Sequence, residues 1–382
     1  MKRMIRTAML MAGLSVPALA QGPVVPSKQA PQPTVEVKKQ AQRPELDVVF
    51  VLDTTGSMGG LIEGAKQKIW SIASRMASGT PTPKIRVGLV AFRDVGDAYV
   101  TKRFDLSEDL DTVYKNLQSF SADGGGDGPE HVGKAMGEAV QLMSWSQNKQ
   151  TSRMIFVVGD APPHDDYNDG WNSKTWAKNA IQKGIVVNTI RCGAAADTQT
   201  AFQEIARLAD GSFVTVGQTG GMVAVATPFD DEIGKLNGSL ASTTVYAGSA
   251  SARAAGAGKM AEQAALAPSV AADRASYVKK SGLKSFAADN EGTVDLAAAP
   301  EKLKEMKKEA LPEPMQKMNE EERVAFVTKN AAERKEIETR LRTLSDKRSA
   351  WMVDNAKNNK DSFDEQVFES VKKSASKVGV TY

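Results

Sequence analysis

From residue 46 to about residue 248, short apolar runs alternate with longer segments whose apolar positions recur at helical spacing. The runs are Val48–Leu52, Ile85–Phe92, Met154–Val158, Ile185–Ile190 and Phe213–Val216. Between them the pattern predicts helices over Leu61–Met76, Glu108–Phe120 with Ser107 as cap, Glu130–Trp145, Thr175–Lys183, Thr198–Ala209 and Pro228–Ala241. The last has proline in its first turn, where it is tolerated. Such alternation predicts a doubly wound, mostly parallel α/β sheet with helices on both faces. The runs are apolar almost throughout, as strands buried on both sides are. The stretch VTKRFDL alternates more, and fits an edge or antiparallel strand.

Composition changes after Ala247. Residues 246–275 are rich in Ala, Gly and Ser and read as a flexible or weakly helical connector. Residues 276–382 are charged and mainly α-helical in character. There Val327, Ile337, Leu341, Leu344 and Trp351 share one helix face, and Arg334 and Arg348 interrupt that seam. The expected arrangement is a helical hairpin packed on itself or on the first domain, with a coiled-coil partner as the alternative.

At the other end, Lys2, Arg3 and Arg6 precede the apolar run Ala8–Val16 and the small-residue site Ala18-Leu19-Ala20. Residues 1–20 are therefore expected to be a signal peptide, placing the mature protein in the periplasm or outside the cell. Residues 21–45, with five prolines, read as an extended linker. The α/β domain then spans 46–245.

Charge narrows the partners. Taking the three basic residues of the signal peptide from the 49 of the whole chain leaves 46, equal to the 46 acidic ones. A nucleic-acid binder would need a basic surplus or stripe. Residues 47–248 hold 18 basic and 23 acidic residues. Cys192, the only cysteine, excludes an intramolecular disulfide and is expected as a small core residue at a strand end.

In a parallel sheet of this kind ligands bind beyond the carboxyl ends of the strands. Oxygen-bearing residues collect there. Asp53, Thr55 and Ser57 follow the first run, and Arg93 and Asp94 the second, expected to pair at the rim. Asp127 and Glu130 lie in GGGDGPEH, and Asp160 opens GDAPPHDD. Hydroxyls with carboxylates suit a small hard cation such as Mg²⁺, which keeps part of its water shell. His131 and His164 fall in the same loops, but imidazole suits zinc better than magnesium. No Gly-Lys-Ser/Thr follows the glycines of GGGDG, so they form no phosphate loop. DDYNDG (165 to 170) is no calcium loop, because Tyr167 within it and Trp176 beyond it occupy positions that such a loop reserves for ligands.

DTTGSM (53 to 58) resembles the Asp-x-Ser/Thr-Gly-Ser-Met signature of the von Willebrand factor type A (VWA) family, over roughly residues 46 to 245. The resemblance implies a Rossmann-like fold with a metal-ion-dependent adhesion site (MIDAS), and a binding module rather than an enzyme. It implies Asp53, Thr55 and Ser57 as first-loop ligands and Asp160 as the third-loop ligand. The ion would be Mg²⁺, or Mn²⁺ or Ca²⁺, with a partner's carboxylate completing its shell. The second loop departs from the commonest pattern, which has Thr. Its DGPE resembles the Asp-x-Pro-Glu of integrin β subunits and points to Glu130, with Asp127 as competitor. The helical tail is similar to those of uncharacterised bacterial members of the family.

DTTGS also resembles the phosphorylated loop of haloacid-dehalogenase-like pumps. That resemblance implies an Mg²⁺-dependent phosphohydrolase or phosphotransferase with Asp53 as nucleophile. It needs a hydroxyl at a second strand end, where this chain has AFRD. A third alternative is a structural protein acting through its helical tail.

Overall fold

Val48 to Leu52 can avoid water on both faces inside a sheet, and β1 (Glu45–Asp53) is one of its two central strands. A computed structural model describes residues 43–126, 128–222, 225–288, 290–355 and 362–382. The expected signal peptide, most of the expected linker and Asp127 lie outside the described residues. The sheet has the order β3-β2-β1-β4-β5-β6. Its other strands are β2 (Lys84–Phe92), β3 (Thr101–Ser107), β4 (Thr151–Gly159), β5 (Ile185–Cys192) and β6 (Phe213–Val216). All pair in parallel except β3, which runs antiparallel at the edge. That is where the alternating VTKRFDL pattern places it.

Helices α1 (Gly59–Met76), α2 (Leu110–Gln118), α3 (Val132–Leu142), α4 (Ser173–Gln182), α5 (Ala196–Leu208) and α6 (Asp230–Thr243) connect the strands or follow the last of them. They cover two apolar layers. Leu46, Val48, Phe50, Met154 and Phe156 pack on the side of α1, and Val49, Val51, Ile155 and Val157 on the side of α3. The cap of α2 differs from the expected Ser107. Asp109 accepts from Thr112 N at 3.2 Å, and Ser107 Oγ accepts from Asp109 N at 3.0 Å.

The Ala/Gly/Ser-rich stretch takes the helical of its two expected forms. It forms β7 (Tyr246–Gly248), α7 (Ala250–Ala264) and the start of α8 (Pro268–Ser281). Alanine is the best helix former, and small residues allow close packing. A side chain at Gly256 would come within 2.8 Å of the Tyr246 ring. Gln263 and Asn237 pair in the buried seam between α7 and α6.

The remainder adds β8 (Thr293–Asp295), antiparallel to β7, a single turn α9 (Glu313–Gln316), the long α10 (Glu320–Asn355) and α11 (Ser362–Ser376). Gln42–Tyr382 form one compact unit. The seam of α10 faces the chain's own α6 and α8 rather than a coiled-coil partner. The two arginines that interrupt it are ion-pair anchors. Arg334 bonds Thr243, Thr244 and Asp295, and Arg348 bonds Asp230 at 2.8 Å and Asp273 at 2.7 Å. Helix α11 packs on α1, with Lys68 and Asp364 paired at 3.3 Å. Among the described residues no helix is long and apolar enough to cross a membrane.

Candidate metal centre

β1 delivers Asp53 to the carboxyl edge of the sheet with no exposed surface. Its Oδ1 accepts from Thr55 N at 2.8 Å and Thr55 Oγ1 at 2.6 Å. Thr55 Oγ1 stands 3.5 Å from Ser57 Oγ. The alternate residue Thr54 points elsewhere, bonding Phe92 O at 2.9 Å and Tyr99 Oη at 2.8 Å. A tight turn at Gly56–Met58 then leads directly into α1.

The second and third loops are joined by their backbones. Glu130 N donates to Pro162 O at 2.9 Å, and His164 N to Glu130 O at 2.9 Å. This bridge keeps Glu130 extended, which is why α3 starts at Val132 and not at the expected Glu130. Gly125, at φ +84°, lies between Thr55 and Glu130. A Cβ there would come 3.4 Å from Thr55 Cβ and 3.9 Å from Glu130 Oε1. Thr55, Ser57, Glu130 and Asp160 line one open cleft of about 370 Å³, and Asp53 is hydrogen-bonded to its Thr55 wall.

Asp53 Oδ2 makes no hydrogen bond among the described residues, and of the groups that act on this carboxyl the Asp160 backbone N–H contributes least. A buried carboxylate oxygen without a partner is costly unless a cation meets it. Among the described residues no three of His, Cys, Asp and Glu gather closely enough to hold an ion. A shell here would therefore need the hydroxyls of Thr55 and Ser57 beside the carboxylates, and such an all-oxygen donor set would suit a hard divalent ion.

Burial pushes the Asp53 carboxyl up to about 7, the Asp160 charge adds to the rise, and the Thr55 hydrogen bonds oppose it. An acid whose folded pKa is raised costs stability as pH climbs from its ordinary value of 3.8 to about 7, because the unfolded chain ionises first. A cation binds the ionised form and reverses that loss. Thermal denaturation is therefore expected to show a larger Mg²⁺ stabilisation at pH 8 than at pH 5.5. Equal stabilisation at both would mean that Asp53 does not meet the ion.

The rim differs from expectation in one respect. Arg93 and Asp94 do not pair. Arg93 is spent on Thr54 O at 3.1 Å and Ser121 O at 2.9 Å. Asp94 accepts from Tyr167 Oη instead. The Tyr167 ring stacks on His164 at 4.3 Å and meets the edge of His131 at 5.3 Å. His131 Nε2 lies 2.8 Å from Asp169 and His164 Nδ1 2.8 Å from Asp166, and neither histidine lines the cleft. Burial, then the charges of Asp160 and Asp53, raise the Cys192 thiol, so it stays protonated beneath the site.

Two participants escaped the sequence reading. Gln218 Nε2 donates to Asp160 Oδ2 at 2.6 Å, and Thr198 Oγ1 to Asp160 O at 2.9 Å. Gln218 follows β6 by two residues, so the strand-end rule could have found it. An amide among acids carried no signal by type.

Residues 47–222 match the model of the von Willebrand factor type A domain. This segment is a VWA domain. The chain is similar to Alpha-protein kinase vwkA of Dictyostelium discoideum, 28% identical over 120 residues, which cover 31% of this chain and 19% of that protein. It is 33% identical over 124 residues to von Willebrand factor A domain-containing protein 7 of Homo sapiens, covering 32% and 13%. The alignments thus span less than a fifth of these relatives' lengths. Among solved structures, the SpRpn10 VWA domain has a TM-score of 0.35 at 17% identity, covering 46% of this chain and 89% of that one. Proximal thread matrix protein 1 from the mussel byssus, with zinc occupied MIDAS motif, has 0.36 at 15%, covering 45% and 42%. Likeness of this degree bears on neither ligand nor partner. Within this VWA domain Thr55 and Ser57 of the first loop and Asp160 of the third share one cleft, and Glu130 is the described second-loop acid beside them.

Proposed function

We propose that the chain is an exported adhesion-type module that recognises a protein partner through a divalent cation at the carboxyl edge of its sheet. The buried, unbonded Asp53 Oδ2 beside the Thr55 and Ser57 hydroxyls carries this reading. Asp53, Thr55, Ser57, Glu130 and Asp160 would hold Mg²⁺, or Mn²⁺ or Ca²⁺. The ion would supply a Lewis-acidic point for a carboxylate of the partner. Thr55 orients Asp53, and Gln218 holds Asp160 at the edge of the cleft. Export rests on the N-terminal charge and apolar pattern.

A phosphoryl-transfer reading gains little from the geometry. Among the described residues no lysine or arginine lines the cleft to steady a phosphoryl group, and Arg93 is turned to backbone carbonyls.

Calorimetric titration of the mature protein is expected to show a single Mg²⁺ or Mn²⁺ site. A pull-down in Mg²⁺ should retain a partner that EDTA releases. No heat of binding with any of the three cations would remove the metal from the account. Glu130→Gln is expected to weaken the site about 10-fold or more. Unchanged affinity in that variant would hand the second-loop role to Asp127.

A further inference from the structure

The edge of the sheet that carries the cleft is charged in one sense only. Among the described residues, the segments 54–58, 93–100, 119–131, 160–172, 193–195 and 217–229 hold eight acidic residues and one basic residue, Arg93. Arg93 is 3% exposed, bonded to Thr54 O and Ser121 O, and 3.9 Å from Asp123 Oδ2. Asp123, Asp166 and Asp169 are exposed on this edge, and Asp197 is exposed in the first turn of α5, on the wall of the same cleft. A ring of acids alone would say little. Here it surrounds a buried carboxylate oxygen, Asp53 Oδ2, which makes no hydrogen bond among the described residues and lies against the end of β4.

Resting on the metal-site reading above, we infer that the partner presents its carboxylate from a lysine- and arginine-rich protein surface. Charge bookkeeping supports this. A divalent ion held beside Asp53 would bring two positive charges to an edge that also carries Glu130 and Asp160, so the edge would stay negative before the partner's carboxylate adds to it. The exposed aspartates extend that potential beyond the ion. An acidic epitope would be repelled on approach, whereas a basic one is steered in. Cationic residues flanking the coordinating acid would also meet the exposed aspartates of this edge, of which Asp123 lies 3.9 Å from Arg93 and Asp166 2.8 Å from His164.

The test uses the mature full chain and three immobilised synthetic peptides. One has a central Asp flanked by Lys and Arg, a second has the same Asp flanked by Ser, and a third has Asn between the basic flanks. The first peptide should bind in Mg²⁺ at least 10-fold tighter than the other two. Its association rate should fall about 10-fold between low and high salt. The Asp123→Asn/Asp166→Asn/Asp197→Asn variant should lose most of that salt dependence while keeping its Mg²⁺ affinity. Equal binding of the Ser-flanked peptide in Mg²⁺ overturns the basic-epitope inference and leaves the metal site standing. Equal binding of the Asn peptide in Mg²⁺ and EDTA shows simple polycation attraction, which also overturns it. If no peptide binds in an Mg²⁺-dependent way and calorimetry detects no ion, the underlying reading fails instead.

Discussion

Asp53→Asn is expected to separate binding from folding. Its Mg²⁺ affinity should fall by more than about 100-fold, beyond the usual effect of residues that only orient a ligand. In EDTA at pH 8 the same variant should melt at or above the parent's temperature. Both effects come from one atom. Oδ2 is buried without a hydrogen bond, and burial holds the carboxyl up to about 7, so at pH 8 the metal-free fold carries an ionised group it disfavours. One pKa unit corresponds to about 1.4 kcal/mol, so a shift of this size is worth several. Asparagine keeps the shape and removes the charge. Calorimetry with differential scanning measurements checks both arms. A variant that binds Mg²⁺ normally would sink the ligand assignment. One that melts well below the parent in EDTA would mean the carboxylate is structural.

Removing the Arg348 side chain should cost about 3–5 kcal/mol of stability, the range for breaking a buried ion pair from one side. The guanidinium joins Asp230 on α6 to Asp273 on α8, and all three side chains are 15% exposed or less. Burial raises the Asp273 carboxyl and Arg348 pulls it back, so Arg348→Ala leaves two acids facing apolar surroundings. Arg348→Met combined with Asp230→Asn and Asp273→Asn should recover most of the loss, because no buried charge then lacks a partner. Urea denaturation measures both variants. A loss under about 1 kcal/mol for Arg348→Ala would show that this seam does not fasten the tail to the α/β part.

The strands and helices of the α/β part were legible because burial on both faces imposes nearly unbroken apolar runs, as in Val48–Leu52 and Met154–Val158. The edge position of β3 was legible because Thr101–Ser107 shields only one face and so alternates. The loops were less so. Arg93 and Asp94 are adjacent in sequence, yet one turns to Thr54 O and the other to Tyr167, because their partners arrive from separate crossovers. Helix α3 loses its expected first turn to the Glu130–Pro163 bridge, a contact between distant segments that no local pattern encodes.

The tail shows the same division. Spacing along α10 marked a face, and Arg334 and Arg348 looked like breaks in it. They are its anchors, since a buried arginine is tolerable only where acids from other helices meet it. The Ala-rich stretch looked loose for a related reason: small side chains carry little hydrophobic signal, and their value lies in letting α7 and Tyr246 approach closely.

By itself, then, the sequence determined the layered α/β class and marked the strand ends where the oxygen-bearing residues Asp53, Thr55, Ser57 and Asp160 collect. Hydrophobic periodicity and residue type are local properties, readable along the chain. Only the tertiary structure decided that Thr55, Ser57, Glu130 and Asp160 line one cleft with Asp53 buried behind Thr55, that Gln218 restrains Asp160, and that α10 is fastened to α6 and α8. Each of those depends on distances between segments far apart in sequence, which arise only when the sheet assembles.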